Sequence, residues 1–202
     1  MCTGKCSRFV GLSLFPFSAI CIIANLFLFF PGWSVDWVKN ANEYITPEVY
    51  FLGGIIGGGV LVLVPAVHIQ ATGSRENCCN NRCGMFLSII FAVIGGVGAI
   101  YALAVSVLGM VNGPVCLHKD PSHNELIWGQ PFKSSLEKFS NESYLFNKNL
   151  WSVCEKPEGV TEFNIVLFSI ILVASIIQLA LCTIQIVNGL VGCLCGTCQK
   201  RN

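Results

Sequence analysis

The sequence predicts an all-α integral membrane protein, a four-transmembrane-helix bundle with a disulfide-closed large extracellular loop between helices three and four. Three observations carry this. The 202-residue chain is 53% hydrophobic and only 11% charged, with mean hydropathy +0.67, whereas soluble domains are roughly 25% charged. A soluble fold of this size could not hide so much apolar surface. Four uncharged runs are long enough to cross a hydrocarbon core of about 30 Å, which takes roughly 20 helical residues. Basic residues also collect at one set of span ends, as the positive-inside rule requires.

The first span is 9–30, FVGLSLFPFSAICIIANLFLFF. Its basic start (Lys5, Arg8) is shared with signal peptides. The run is too long for a typical h-region, however, and FFPGW offers no small-x-small cleavage site, so it reads as a retained span. The second span, 49–69, contains FLGGIIGGGVLVLVPAV, and the third and fourth cover 84–111 and 163–192. The last two exceed the minimum and can tilt or extend past the bilayer.

Charge sets the expected topology. Lys5 and Arg8 lie in 1–8, Arg75 and Arg82 in 70–83, and Lys200 and Arg201 in 193–202, so these three segments are expected in the cytosol. The small loop 31–48 has Lys39 against Asp36, Glu43 and Glu48. The large loop 112–162 has five lysines and seven acids and is long enough for the rule to weaken. Both are expected outside. The chain's only N-x-S/T sequon, at Asn141, falls in that outer segment and is the expected glycosylation site.

The twelve cysteines then sort by compartment. Cys116 and Cys154 are the only two in the outer, oxidising segment, which leaves one intramolecular pairing. That bridge closes a loop of about 37 residues and contributes roughly 3–4 kcal/mol in the chain-entropy model. Cys21 and Cys182 lie inside spans one and four and are read as small packing residues. Cys2, Cys6, Cys78, Cys79, Cys83, Cys193, Cys195 and Cys198 lie at cytosolic span ends. Cytosolic disulfides are disfavoured by the reducing environment. A zinc site is an alternative, because CLCGTC holds a C-x-x-C near CCNNRC. It lacks a His cluster, paired knuckles and a domain to fold around the metal. Juxtamembrane cysteines beside basic residues are instead typical of S-palmitoylation, with free thiols the alternative at any single site. Four spans already anchor the chain, so acylation would act on lateral sorting and neighbours. Neither a metal nor any other cofactor is predicted.

No Asp, Glu, Lys or Arg falls within the four spans, which weakens a pump, channel or ion-coupled transporter reading. Small residues supply the packing instead. Gly53/Gly57 and Gly54/Gly58 are paired G-x-x-x-G spacings, and Gly98, Ala102 and Ser106 repeat the interval of four; intramolecular use is favoured for both. Asn25, Gln178, Gln185 and Asn188 are expected to hydrogen-bond between helices. Gln178, Cys182 and Gln185 share one face of span four. A lipid or sterol pocket along that seam is the sharper, less favoured alternative. No catalytic constellation emerges: His68 reads as interfacial, and His118 and His123 are loop residues without a nucleophile motif. The outer loop carries Trp128, Phe132, Phe139, Tyr144, Phe146 and Trp151, suited to protein contact or to a small core of its own.

MCTGKCSR at the start, ANLFLFFP at 24–31, GGIIGGG at 53–59, NGPVCL at 112–117, WGQPF at 128–132, LWSVCEKP at 150–157 and CTIQIVNGLVGCLCGTC at 182–198 resemble the L-six-antigen family of four-transmembrane proteins, which share a layout with tetraspanins. The resemblance covers essentially the whole chain. It implies cytosolic termini, palmitoylated cytosolic cysteines and a non-enzymatic protein of the plasma membrane, with endosomal membranes a second location. Its implied role is to organise integrins, tetraspanins or growth-factor receptors in cis within microdomains, among membrane lipids, with effects on adhesion, migration and proliferation. Homo-oligomers are compatible with this. The net charge of +1 argues against nucleic acid as a partner. The chain departs from the family in reading F-N-I-V at 163–166, where a sequon is common, so Asn164 is not expected to carry a glycan. It also has fewer cysteines in the cytosolic loop. The alternative function is a four-span protein that binds or transports a lipid, sterol or small molecule.

Overall fold

The computed structural model describes residues 3–31, 44–73, 82–119, 125–133 and 143–195. Among these, four helical stretches are long and apolar enough to cross a membrane: Gly4–Phe27, Pro47–Thr72, Cys83–Asn112 and Val160–Leu194. Three are single helices, α1 (Thr3–Phe27), α3 (Arg82–Asn112) and α4 (Val160–Cys195). At 1.5 Å per residue α4 is about 54 Å long, well beyond a hydrocarbon core.

The second crossing is not one helix. It opens with a 3-10 turn, Pro47–Phe51, continues as a π-helix over Gly53–Val60 and becomes an α-helix, α2, over Leu61–Thr72. The break is at Leu52, whose φ of 50° lies in the left-handed region, which is uncommon for a residue with a Cβ. A break inside a membrane span frees backbone groups that water cannot satisfy, so neighbouring helices must do so. Here α1 supplies Asn25, whose Oδ1 accepts the Gly54 and Ile55 N–H groups at 3.0 and 3.1 Å. Helix α3 supplies Tyr101, whose hydroxyl donates to the Phe51 carbonyl at 2.7 Å.

The crossings form a ring in chain order, each packed on its two sequence neighbours, with α4 closing against α1. Glycines set how closely they approach. A Cβ on Gly57 would lie 2.7 Å from the Gly98 carbonyl of α3, and one on Gly54 would lie 2.5 Å from the Cys21 carbonyl of α1. The two G-x-x-x-G pairs therefore serve different partners. Gly53 and Gly57 face α3, whereas Gly54 and Gly58 face α1. Gly98 and Ala102 form the α3 side of the first contact, and the Ser106 hydroxyl turns back to its own Ala102 carbonyl. On the far side of the ring, Phe168 of α4 is seated on Gly109 of α3. Two apolar clusters fill the interior. One gathers Leu28, Ile45, Val49, Phe168 and Ile171, and the other Val10, Leu14, Val62, Ile69 and Cys182.

The segment between α3 and α4 caps one end. Cys116 and Cys154 are joined by a disulfide across 38 positions of sequence. The cap also adds two short strands to the otherwise helical fold. Strands β1 (Cys116–Lys119) and β2 (Leu126–Gly129) pair antiparallel, with Leu117 opposite Trp128. Leu117 also exchanges backbone bonds with the 155–156 segment, from its own N–H to the Lys156 carbonyl and from the Glu155 N–H to its carbonyl, both at 2.9 Å. The disulfide holds the returning chain beside β1, where its free edge can be paired.

Gly57→Val would force two backbones apart at their closest approach. The expected result is a loss of about 1–3 kcal/mol, read as earlier thermal unfolding in detergent. An unchanged transition would refute the close packing of the second crossing on α3.

Candidate functional site: the polar seam and the cap junction

Gln178 and Gln185 lie two turns apart on α4, and both are fully buried. The Gln178 amide donates to the Gly58 carbonyl at 2.7 Å and to the Ser18 hydroxyl at 3.2 Å. It thereby ties α4 to the π-helix and to α1. Cys21 lies against its Oε1, with sulfur 4.0 Å away. Gln185 donates to Ser7 of α1 at 3.1 Å and to Ser88 of α3 at 3.0 Å. The two serines pass the chain on, Ser7 to the Ile69 carbonyl and Ser88 to the Met85 carbonyl. Asn188 is half-buried, its Nδ2 3.5 Å from Gln185 Oε1. With Asn25 at the break, these side chains link all four crossings through three separate polar groups, one around each glutamine and one at Leu52. Cys182, between the two glutamines on the same helix face, packs in an apolar cluster with Val62, Ala66 and Ala92.

A second polar group joins the cap to the bundle. Glu48, in the 3-10 turn, is buried. Its carboxylate accepts from Asn112 Nδ2 at 2.6 Å and from Gln130 Nε2 at 3.1 Å, and Gln130 also donates to the Gly113 carbonyl. Gly113 has φ +74°, and a Cβ there would lie 2.7 Å from the Phe132 ring. That ring stacks on Tyr144 at 4.1 Å, and the Tyr144 hydroxyl donates to the Met110 carbonyl at the end of α3. Burial, aided by the Glu48 charge, pushes the Tyr144 phenol above its ordinary value, so it stays a donor at neutral pH. Trp151 donates to the Tyr144 carbonyl at 2.8 Å, and Trp128 meets Tyr44 edge-on at 4.5 Å.

The remaining sequence-derived positions divide. Cys83 is exposed, whereas Cys6 and Cys193 are half-buried. Cys6 packs against the Val10–Leu14 cluster, and Cys195 ends α4. Cys2, Cys78, Cys79, Cys198, Asn141, Phe139 and His123 lie outside the described residues. Asn164, in the F-N-I-V sequence, is only 3% exposed. His68 lies over Phe91 with ring centroids 4.4 Å apart. His118 is buried in the cap, with Nδ1 3.2 Å from the Cys116 carbonyl.

Sequence reasoning missed the serines and the Glu48 clamp. Ser7 and Ser18 are eleven residues apart, three helical turns, so they share one face of α1. Placed antiparallel to the seven-residue interval of Gln178 and Gln185, that spacing was a usable signal. Glu48, Asn112 and Gln130 had none, because they meet only after three segments converge.

The coupling between Gln178 and Ser18 is measurable. Gln178→Leu should cost about 1–2 kcal/mol, and its double-mutant cycle with Ser18→Ala should return about 0.6 kcal/mol, the average for interhelical bonds in membranes. Additive losses in detergent unfolding would show that the two side chains do not interact.

Comparison with known proteins agrees with this architecture. A family model described as L6 membrane protein matches residues 1–199. Human transmembrane 4 L6 family member 5 is 40% identical over 206 aligned residues, covering 100% of this chain and 98% of the relative. The rat family member 4 is also 40% identical, covering 98% and 95%. The mouse family member 1 is 35% identical, covering 100% and 97%. No solved structure matches. With a family model spanning almost every residue and relatives aligned end to end, this four-span chain belongs to the L6 membrane protein family.

Proposed function

We propose that the protein is a non-enzymatic, tetraspanin-like scaffold of the plasma membrane. In this role it organises integrins, receptors and tetraspanins in microdomains and so influences adhesion, migration and proliferation. The observation that carries the reading is the state of the interior. The seam amides are bound within the chain, and the Glu48 carboxylate is held by two side-chain amides. A transport path needs polar groups that can exchange partners with a cargo. Here they are committed to holding helices together, which leaves the surfaces as the working parts.

Two surfaces fit that role. The cap exposes Phe146, Leu126 and Ile127, apolar side chains of the sort that anchor protein contacts. The opposite end carries Cys6, Cys83 and Cys193, with Lys5 and Arg8 at the start of α1, and Cys83 is the most open of the three cysteines. In the proposed orientation that end is cytosolic and its cysteines are acylated, placing extra hydrocarbon at the inner leaflet. The cap then faces outward, where Cys116 and Cys154 meet an oxidising environment.

Purification in mild detergent followed by mass spectrometry tests the scaffold. A reproducible set of integrins or receptors is expected, reduced when Cys6, Cys83 and Cys193 are changed together to Ser. Substrate flux in liposomes, with no protein partners recovered, would sink the proposal. Orientation has a separate test. Glycosidase-sensitive mobility should disappear in Asn141→Gln, and sensitivity that survives the substitution would refute Asn141 as the acceptor.

A further inference from the structure

Between α1 and α4, on the outward side of the bundle, runs a groove of about 460 Å³, within the roughly 300–1,000 Å³ of small-molecule sites. Phe17 and Ile20 of α1 form one wall, and residues of α4 from Ile165 to Ile177 form the other. This face of α4 differs from the one that carries Gln178 into the seam. We propose that the groove is a binding site for a sterol from the leaflet on the cap side.

Four features select that ligand. The twelve residue steps from Ile165 to Ile177 cover about 18 Å, little more than half of a hydrocarbon core of about 30 Å, so the groove matches a molecule of one leaflet. Its lining is hydrocarbon apart from Ser169, whose hydroxyl donates to Met110 Sδ at 3.8 Å. The α4 wall is built largely from Val and Ile, including Val166, Ile170 and Val173. β-Branched side chains are stiff in a helix, and a preorganised wall favours a rigid fused-ring body over a flexible acyl chain, which loses more conformational entropy on binding. The mouth supplies the polar contact. Glu162 is exposed in the first turn of α4, and Ile165, Val166 and Ser169 follow it at i+3, i+4 and i+7, on the same face. Its carboxylate can accept a hydrogen bond from an uncharged hydroxyl at the membrane boundary, while it would repel a phospholipid phosphate. A rigid hydrocarbon with a single hydroxyl meets all four conditions.

The test uses the full-length protein in phosphatidylcholine nanodiscs with cholesterol carrying a photoactivatable diazirine on its ring system. Label should map to the α1 peptide containing Phe17 and to 165–177 of α4, and unlabelled cholesterol should suppress it. Val173 and Val187 are similarly exposed on α4, at 55% and 58%, but only Val173 lines the groove. Val173→Trp should lower labelling about tenfold, a difference of about 1.4 kcal/mol, and Val187→Trp should leave it unchanged. Glu162→Leu should lower it about fivefold, whereas Glu162→Gln, which keeps an acceptor, should retain most of it. Equal labelling of the two Trp variants would overturn the proposal. So would label spread over all four crossings, or suppression by added phosphatidylcholine as strong as by cholesterol.

Discussion

Inside a hydrocarbon layer no water is available to take a backbone N–H, so each one must find its acceptor within the protein. Three of the four crossings meet that demand with unbroken helices. The second does not, because Leu52 turns the chain into the left-handed region and the following eight residues wind as a π-helix. Asn25 from α1 and Tyr101 from α3 satisfy the groups this exposes. The bundle around them is arranged so that those two side chains can reach. Helices α1 and α3 must both come close to the break, and the glycines of the second crossing permit it by presenting one bare stripe to each neighbour. Any side chain at those positions would push away the helix that carries the compensating group.

The same logic extends along α4. Gln178 accepts no partner from lipid and reaches instead to the Gly58 carbonyl of the π-helix and to Ser18. Gln185 repeats the pattern two turns on with two serines from different helices. Each bond is modest, averaging about 0.6 kcal/mol in membrane bundles. Their geometry matters more than their sum, since a rotated or shifted α4 would leave buried amides unpaired at a cost of about 1–3 kcal/mol each. The polar seam therefore selects one helix register from many that apolar packing alone would tolerate. The cap depends on this register too, because Glu48, Asn112 and Met110 are anchors presented by helix ends.

Much of this architecture can be read from the chain. Four uncharged runs announce four crossings, and two cysteines isolated in one long connection announce the disulfide between Cys116 and Cys154. The spacing of Gln178 and Gln185 marks the buried face of α4, and the G-x-x-x-G pairs mark close helix contact. The paired strands of the cap were not legible. Cys116–Lys119 and Leu126–Gly129 are only four residues each, too short for alternation to distinguish them from loop. The interruption of the second crossing was equally silent. GGIIGGG is as compatible with a flexible α-helix as with a π-helix, and nothing local to Leu52 signals a positive φ.

By itself, the sequence determined the number of crossings, the disulfide and the residue types that bind helix to helix, because hydrophobic length, charge and cysteine compartment act through composition and local order. Tertiary structure alone decided which stripe of glycines faces α1 and which faces α3, and that Asn25 repairs the break. It also decided that Glu48 clamps the cap through Asn112 and Gln130. Each of these is a contact of about 3 Å between residues separated by at least 29 positions. Such contacts have no local signature, since they arise only when the crossings and the cap are brought together.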